Sequence, residues 1–138
     1  MEQKQRYTFT KTEKLKSRKA IEQLFATGKS FSNFPFRVVY LFTGDEKIKT
    51  GVQAGVSVSA RNFKNATDRN RIKRLVREAY RLQKHTLTDA ITGAGKKLLL
   101  FFIYTGNELP EYDLIFEKTG TALKRLKKIT DETAAANT

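Results

Sequence analysis

The sequence contains no cysteine and a single histidine. The first absence excludes disulfides, a thiolate nucleophile and cysteine-ligated zinc; the second removes most imidazole chemistry. Acids are scarce and scattered, 14 Asp and Glu in 138 residues. Their closest grouping, Glu108, Glu111 and Asp113, falls where a helix is expected to start and acids complement its dipole. Cutting a phosphodiester needs an activated nucleophile and charge stabilisation, normally from metal ions or a His/Lys constellation. No such constellation is legible, so the chain is not expected to carry catalysis itself. No apolar run approaches the ~18 residues of a membrane span, and the N-terminus has no apolar signal-like core. A cytoplasmic location without a membrane partner is the expectation. With two prolines, no Pro- or Ser-rich linker and no repeat, one domain is expected over residues 13–130. Residues 1–12 read as a mobile polar and basic segment, and 131–138 as a frayed tail.

What the chain has in excess is positive charge: 27 Lys and Arg, for a net +13. Such an excess repels itself in a compact fold and is best understood if a polyanion neutralises it. Nucleic acid is the first candidate, and an anionic membrane surface the second.

Apolar periodicity orders the elements. A helix is expected from about Ser17 to Thr27, with Ala20, Ile21, Leu24 and Phe25 at helical spacing and Gly28 as its stop. A strand follows over Phe34–Phe42, ended by a turn at Thr43, Gly44 and Asp45. In the next strand Val52, Ala54, Val56 and Val58 alternate with Gln53, Gly55, Ser57 and Ser59, whose small groups leave room for another backbone to approach. After a basic helix and a loop at TGAGKK, the continuous apolar run Leu98–Tyr104 predicts a strand covered on both faces. A last helix begins near Pro110, with Tyr112, Ile115, Phe116, Leu123 and Leu126 inward and Gly120 as a weak point. The unit from Val52 to Tyr104 has the length of a βαβ crossover, which makes its strands parallel. The fold class is α+β, a two-layer sandwich of a small mixed sheet and three helices.

The basic helix, ATDRNRIKRLVREAYR from Ala66 to Arg81, concentrates the charge. On a wheel of about 100° per residue, Ile72, Leu75, Val76 and Ala79 form one stripe with Tyr80 at its edge. Asn70, Arg74, Arg77 and Arg81 line the other side, flanked by Lys73, with Arg71 off to one side. Solvated helix faces usually mix signs; this one offers a single i,i+4 pair, Arg74 with Glu78. Arginine dominates, and its planar fork binds phosphate oxygens in bidentate fashion. Thr67 or Asp68 is expected to cap the helix start, where free amides favour anions. The strand just before this helix argues against a helix-turn-helix and a DNA partner. His85, near the helix end, reads as solvated.

RNRIKRLVREAYR, Arg69–Arg81, resembles the signature of the bacterial ribonuclease P protein component. GVSVSARNFKNA, Gly55–Ala66, and LKSRKAIEQLFATGKS, Leu15–Ser30, resemble the strand, loop and first helix of that family, over about Lys11–Ile129 in all. The resemblance implies a ribosomal-protein-like sandwich (the ribosomal protein S5 domain 2 type) with a left-handed βαβ crossover. It implies a non-catalytic subunit of an endoribonuclease whose catalytic RNA, with Mg2+ held mainly by the RNA and substrate, removes the 5′ leader of precursor tRNA. Ribonuclease P RNA and precursor tRNA are then the partners. By position, Arg69, Asn70, Arg71, Lys73, Arg74 and Arg77 become the RNA-contacting set; Phe25, Phe36, Ser57 and Arg61 become candidates for the leader cleft. Aromatics that stack bases beside cations that hold the backbone suit single-stranded RNA, although Phe25 and Phe36 read equally as core residues. The chain departs from the family pattern in two places: Ala60 and Arg61 stand where two lysines are common, and Ile21 where an aromatic is common. A structural RNA-binding protein of ribosomal type, or an autonomous metal-dependent nuclease, would share the same basicity.

Overall fold

The computed structural model describes residues 9–44 and 51–136. After a 3-10 turn at Lys11–Glu13 come α1 (Arg18–Thr27), β1 (Lys29–Asn33), β2 (Phe36–Thr43), β3 (Val52–Val58), α2 (Ala66–Gln83), α3 (His85–Gly93), β4 (Lys97–Tyr104) and α4 (Tyr112–Ala136). The strands form one mixed sheet in the order β1-β2-β4-β3. β2 runs antiparallel to β1 and β4. β3 runs parallel to β4, from Val52 opposite Leu98 to Val58 opposite Tyr104, as the crossover length predicts.

Side-chain parity divides the core into two layers. Phe36, Val38 and Tyr40 of β2, Leu98, Leu100 and Phe102 of β4, and Val52, Ala54 and Val58 of β3 face α2, α3 and α4. From those helices come Ile72, Val76 and Ala79, then Leu87 and Ile91, then Ile115, Leu123 and Leu126. The odd residues Val39, Leu99 and Phe101 face the other way and pack with Leu15 and Leu24 beneath α1. β4 is thus covered on both faces, which is why its sequence shows no alternation.

Local chemistry explains the element ends. Ser17 accepts a hydrogen bond from the Ala20 amide at 3.3 Å, capping α1. Gly28 donates to the Leu24 carbonyl at 2.8 Å, but at φ −74 it is not a left-handed cap. Glycine is needed there because a Cβ would sit 2.3 Å from the Leu24 oxygen and 2.9 Å from that of Tyr40. Gly95, at φ +66, ends α3, with the Lys96 amide reaching back to Ile91 at 3.1 Å. Gly120 lets α4 approach α2: a Cβ there would lie 2.5 Å from Gln83 Oε1, whose amide nitrogen donates to the Phe116 carbonyl at 2.9 Å.

Several expectations need correction. There are four α-helices, not three, among the described residues. Lys84 stays in the helical region at φ −66 and ψ −25, so α3 follows α2 without the polar cap or glycine that would mark a break in the sequence. β1 was hidden because only Phe31 of KSFSN is buried; the strand expected from Phe34 begins at Phe36, after a turn with a cis Phe34–Pro35 bond. Phe116 faces outward rather than into the stripe. The backbone of α4 stays helical to Ala136, through much of the expected tail. Phe9 packs edge-on against Tyr80 at 5.4 Å, so residues 9–12 belong to the fold. Residues 1–8 of the expected mobile segment, and Asp45 of the expected turn, lie outside the described residues.

Candidate nucleic-acid interface

α2 is oriented by its oily underside: Ile72, Val76, Ala79 and Tyr80 are buried, with Leu75 partly so. Its cap is Asn65, one residue before the expected start, whose side chain accepts from the Thr67 amide at 3.0 Å. Thr67 and Asp68, the expected caps, sit inside the first turn instead.

The cations of α2 fall into two groups. Arg69 turns back on the loop that leads into the helix and donates to the carbonyls of Phe63 at 2.6 Å and Lys64 at 3.0 Å. Arg81 grips Glu78 with two nitrogens, at 3.1 and 2.5 Å. That bond, opposed by a smaller cost of burial, holds the Glu78 carboxyl below its ordinary range. The expected Arg74–Glu78 pair is not formed. By contrast, the side chains of Asn70, Arg71, Lys73, Arg74 and Arg77 have no hydrogen bond or ion pair to any described residue, and all but the half-buried Lys73 are exposed. Four of these five side chains, with Arg71 off to their flank, share the solvent side of the helix, and none is neutralised by a described residue, an arrangement of donors suited to an anion.

Beside this face lies a cavity of about 250 Å³. The N-terminal segment forms one wall through Phe9, Lys14 and Leu15; Arg77 and Tyr80 form another, and Gly55 and Phe101 lie in the sheet floor. Leu15 donates its amide to the Ala54 carbonyl at 2.9 Å, so the backbone admitted by the small groups of β3 is the chain's own. Gly55 is required: a Cβ there would lie 2.7 Å from the Phe101 ring. The segment is pinned by an ion pair between Glu13 and the buried Lys84. Burial opposes ionisation of Glu13, but the Lys84 ammonium and two bonds from Thr10 outweigh it and hold the carboxyl below its ordinary value. The Tyr80 hydroxyl is buried with no hydrogen-bond partner among the described residues, and burial first, then the Glu13 charge, raises its pKa. It therefore stays protonated and neutral.

Of the four expected cleft residues, none lines the cavity itself. Phe25 flanks it, 49% exposed with its ring 5.3 Å from Phe101. Ser57 lies two residues along β3 from Gly55, on the same face and half-buried. Arg61 is exposed beyond the strand, its amide bonded to Ser59 Oγ at 3.2 Å. Phe36 is a correction: 1% exposed between Phe102 and Tyr104, it belongs to the core under the helices and presents no face to a ligand. Sequence reasoning missed Phe9, Lys14, Tyr80 and Phe101 as cavity residues, since no local pattern separates an apolar residue over a core from one over a cleft. The only advance signal was the small face of β3.

The floor at Gly55 is testable. Gly55→Val is expected to push the Phe101 ring into the cavity, at a cost of about 1–3 kcal/mol for overpacking. Binding of single-stranded RNA should weaken while a duplex still binds the α2 face; equal affinity of the variant and the parent for the single strand would refute the assignment.

Among the described residues no helix is long and apolar enough to cross a membrane, and no three His, Asp or Glu residues cluster to hold a metal ion. A family model described as Ribonuclease P matches residues 9–127. The chain is 35% identical over 120 residues to a ribonuclease P protein component of Porphyromonas gingivalis, covering 87% of each. It is 32% identical over 123 residues to that of Thermotoga maritima, covering 87% of this chain and 97% of the relative. The solved structure of the Thermotoga maritima protein superposes with a TM-score of 0.63 at 27% identity, over 82% of this chain and 96% of that one. A Staphylococcus aureus ribonuclease P protein shares the fold with a TM-score of 0.53 at 23% identity, over 85% and 94% of the two chains. With a matching family model over most of its length and relatives aligned across nearly all of theirs, this chain belongs to the ribonuclease P protein family.

Proposed function

We propose that the protein is the non-catalytic subunit of a ribonuclease P holoenzyme, binding the catalytic RNA and the 5′ leader of precursor tRNA during 5′ maturation. The observation that carries this reading is the face of Asn70, Arg71, Lys73, Arg74 and Arg77, unpaired within the described residues and adjoining a mainly apolar cavity through Arg77. A folded RNA is held at its phosphates by such a face, and a single strand suits the cavity, where aromatic side chains meet lysine and arginine. Phe25, Ser57 and Arg61 would extend that path along the sheet. Arg69 acts on the loop before α2 and thereby sets the helix start.

The chemistry is assigned to the RNA, with Mg2+ held mainly by RNA and substrate. The protein's part is to position substrate and lower electrostatic repulsion between two polyanions, which lowers the magnesium concentration needed. A cytoplasmic site of action follows from that role.

A cleavage assay on precursor tRNA tests this with protein alone, catalytic RNA alone and both together at low magnesium. Cutting is expected chiefly in the mixture. No stimulation of the RNA would refute the reading, and cutting by the protein alone would assign the chemistry to the chain.

A further inference from the structure

One end of the molecule has the opposite character to α2. From Leu98 to Glu117 the sequence holds no lysine or arginine, its longest stretch without one, yet it holds Glu108, Glu111, Asp113 and Glu117. Here the turn between β1 and β2 meets the loop between β4 and α4, around a groove of about 310 Å³. Its apolar wall comprises Phe34, 73% exposed, Leu109, 45%, and Leu114, 39%, together with Pro35 and Pro110. Glu108 and Glu111 form its rim, and both are exposed.

The groove is held in shape from several sides. The Tyr104 hydroxyl donates to the Glu108 carbonyl at 2.7 Å, and the Thr105 amide donates to Pro35 at 2.8 Å. Asn62 reaches the carbonyls of Thr105 and Gly106 at 3.4 and 3.3 Å. Large apolar side chains held in place on a turn, a loop and the first turn of α4, and left in water, are the anchors of a docking surface rather than of a core.

We propose that this groove docks a basic, apolar-anchored segment of another protein. Charge complementarity selects the occupant: the rim carboxylates repel phosphates, so RNA is disfavoured where α2 attracts it, while lysine or arginine beside a leucine or phenylalanine meets both features. A second copy seated symmetrically would bring the same carboxylates together. The surface lies outside the face assigned to RNA, so it is independent of the proposed role in cleavage.

The chain has no tryptophan, so Phe34→Trp places one reporter in the groove of the intact chain. An amphipathic lysine–leucine peptide is expected to shift its emission saturably, and Glu108→Gln with Glu111→Gln to weaken that binding about tenfold, the combined effect of two rim charges. The glutamate–leucine counterpart should give no shift. Four outcomes would overturn the proposal: no saturation, an equal response to the glutamate peptide, a response to oligouridylate instead, or an emission that follows protein concentration alone, which would indicate self-association. Circular dichroism of each variant checks the fold, and unchanged stimulation of the catalytic RNA by Phe34→Trp separates this result from a failure of the cleavage reading.

Discussion

Replacing Arg71, Arg74 and Arg77 together with alanine is expected to weaken RNA binding by roughly a hundredfold or more near 0.1 M salt, and to flatten its salt dependence. Each phosphate deprived of its arginine takes ~0.7 to 0.9 from the slope of log K against log salt, so three take roughly 2 to 3. The fold should survive, because the three side chains are exposed without partners among the described residues and alanine favours helix. Two controls isolate the effect. Arg81→Ala removes a guanidinium already occupied by Glu78 and should leave the slope nearly unchanged. Arg69→Ala breaks bonds to the Phe63 and Lys64 carbonyls and should lower stability more than slope. Lysine at Arg74 and Arg77 keeps the charge but not the planar fork, so the slope should persist while affinity falls. A triple variant with the parental slope would show that the face does not meet phosphate.

Glu13→Ala is expected to destabilise the protein by about 3 kcal/mol, since it leaves the Lys84 ammonium buried without its carboxylate. For a domain of this size that corresponds to on the order of 10 °C in Tm. Replacing both residues, Glu13→Ala with Lys84→Met, should cost less than the single change, because the buried charge is removed too. The pair also sets a pH dependence. The Glu13 carboxyl titrates below its usual 4.5 in the folded protein, so the stability it contributes is fully present above that value. It is lost as pH falls through the lowered folded pKa. Acid unfolding of Glu13→Ala should therefore be shallower in that window than acid unfolding of the parent. A loss under about 1 kcal/mol in the single variant, well below the cost of breaking a buried pair, or an unchanged acid limb, would show that the ion pair does not pin the N-terminal segment. Because that segment walls the cavity, the same variant should bind single-stranded RNA less well.

Where local pattern decides structure, the sequence was sufficient. The 3.6-residue spacing of Ile72, Val76 and Ala79 placed the inner stripe of α2, and the unbroken run at Leu98–Tyr104 announced a strand covered on both sides. β1 escaped because an edge strand with one buried side chain has too little apolar signal, and α3 because its start needs no cap when helical backbone runs into it.

The chain's composition and the periodicity of α2 determined by themselves that a cationic helix face would stand on an apolar underside, since spacing along one helix is a local property. Only tertiary structure decided which cations remain available. Glu78 lies about one helical turn from both Arg74 and Arg81, and in the folded protein Arg81 takes it. Arg69 is claimed by carbonyls of the preceding loop. Likewise Phe36 enters the core rather than a cleft because pairing with Tyr104 sets its parity toward the helices. The partner of a guanidinium, and the side to which a strand residue points, depend on groups that only the folded chain brings within hydrogen-bond or packing reach.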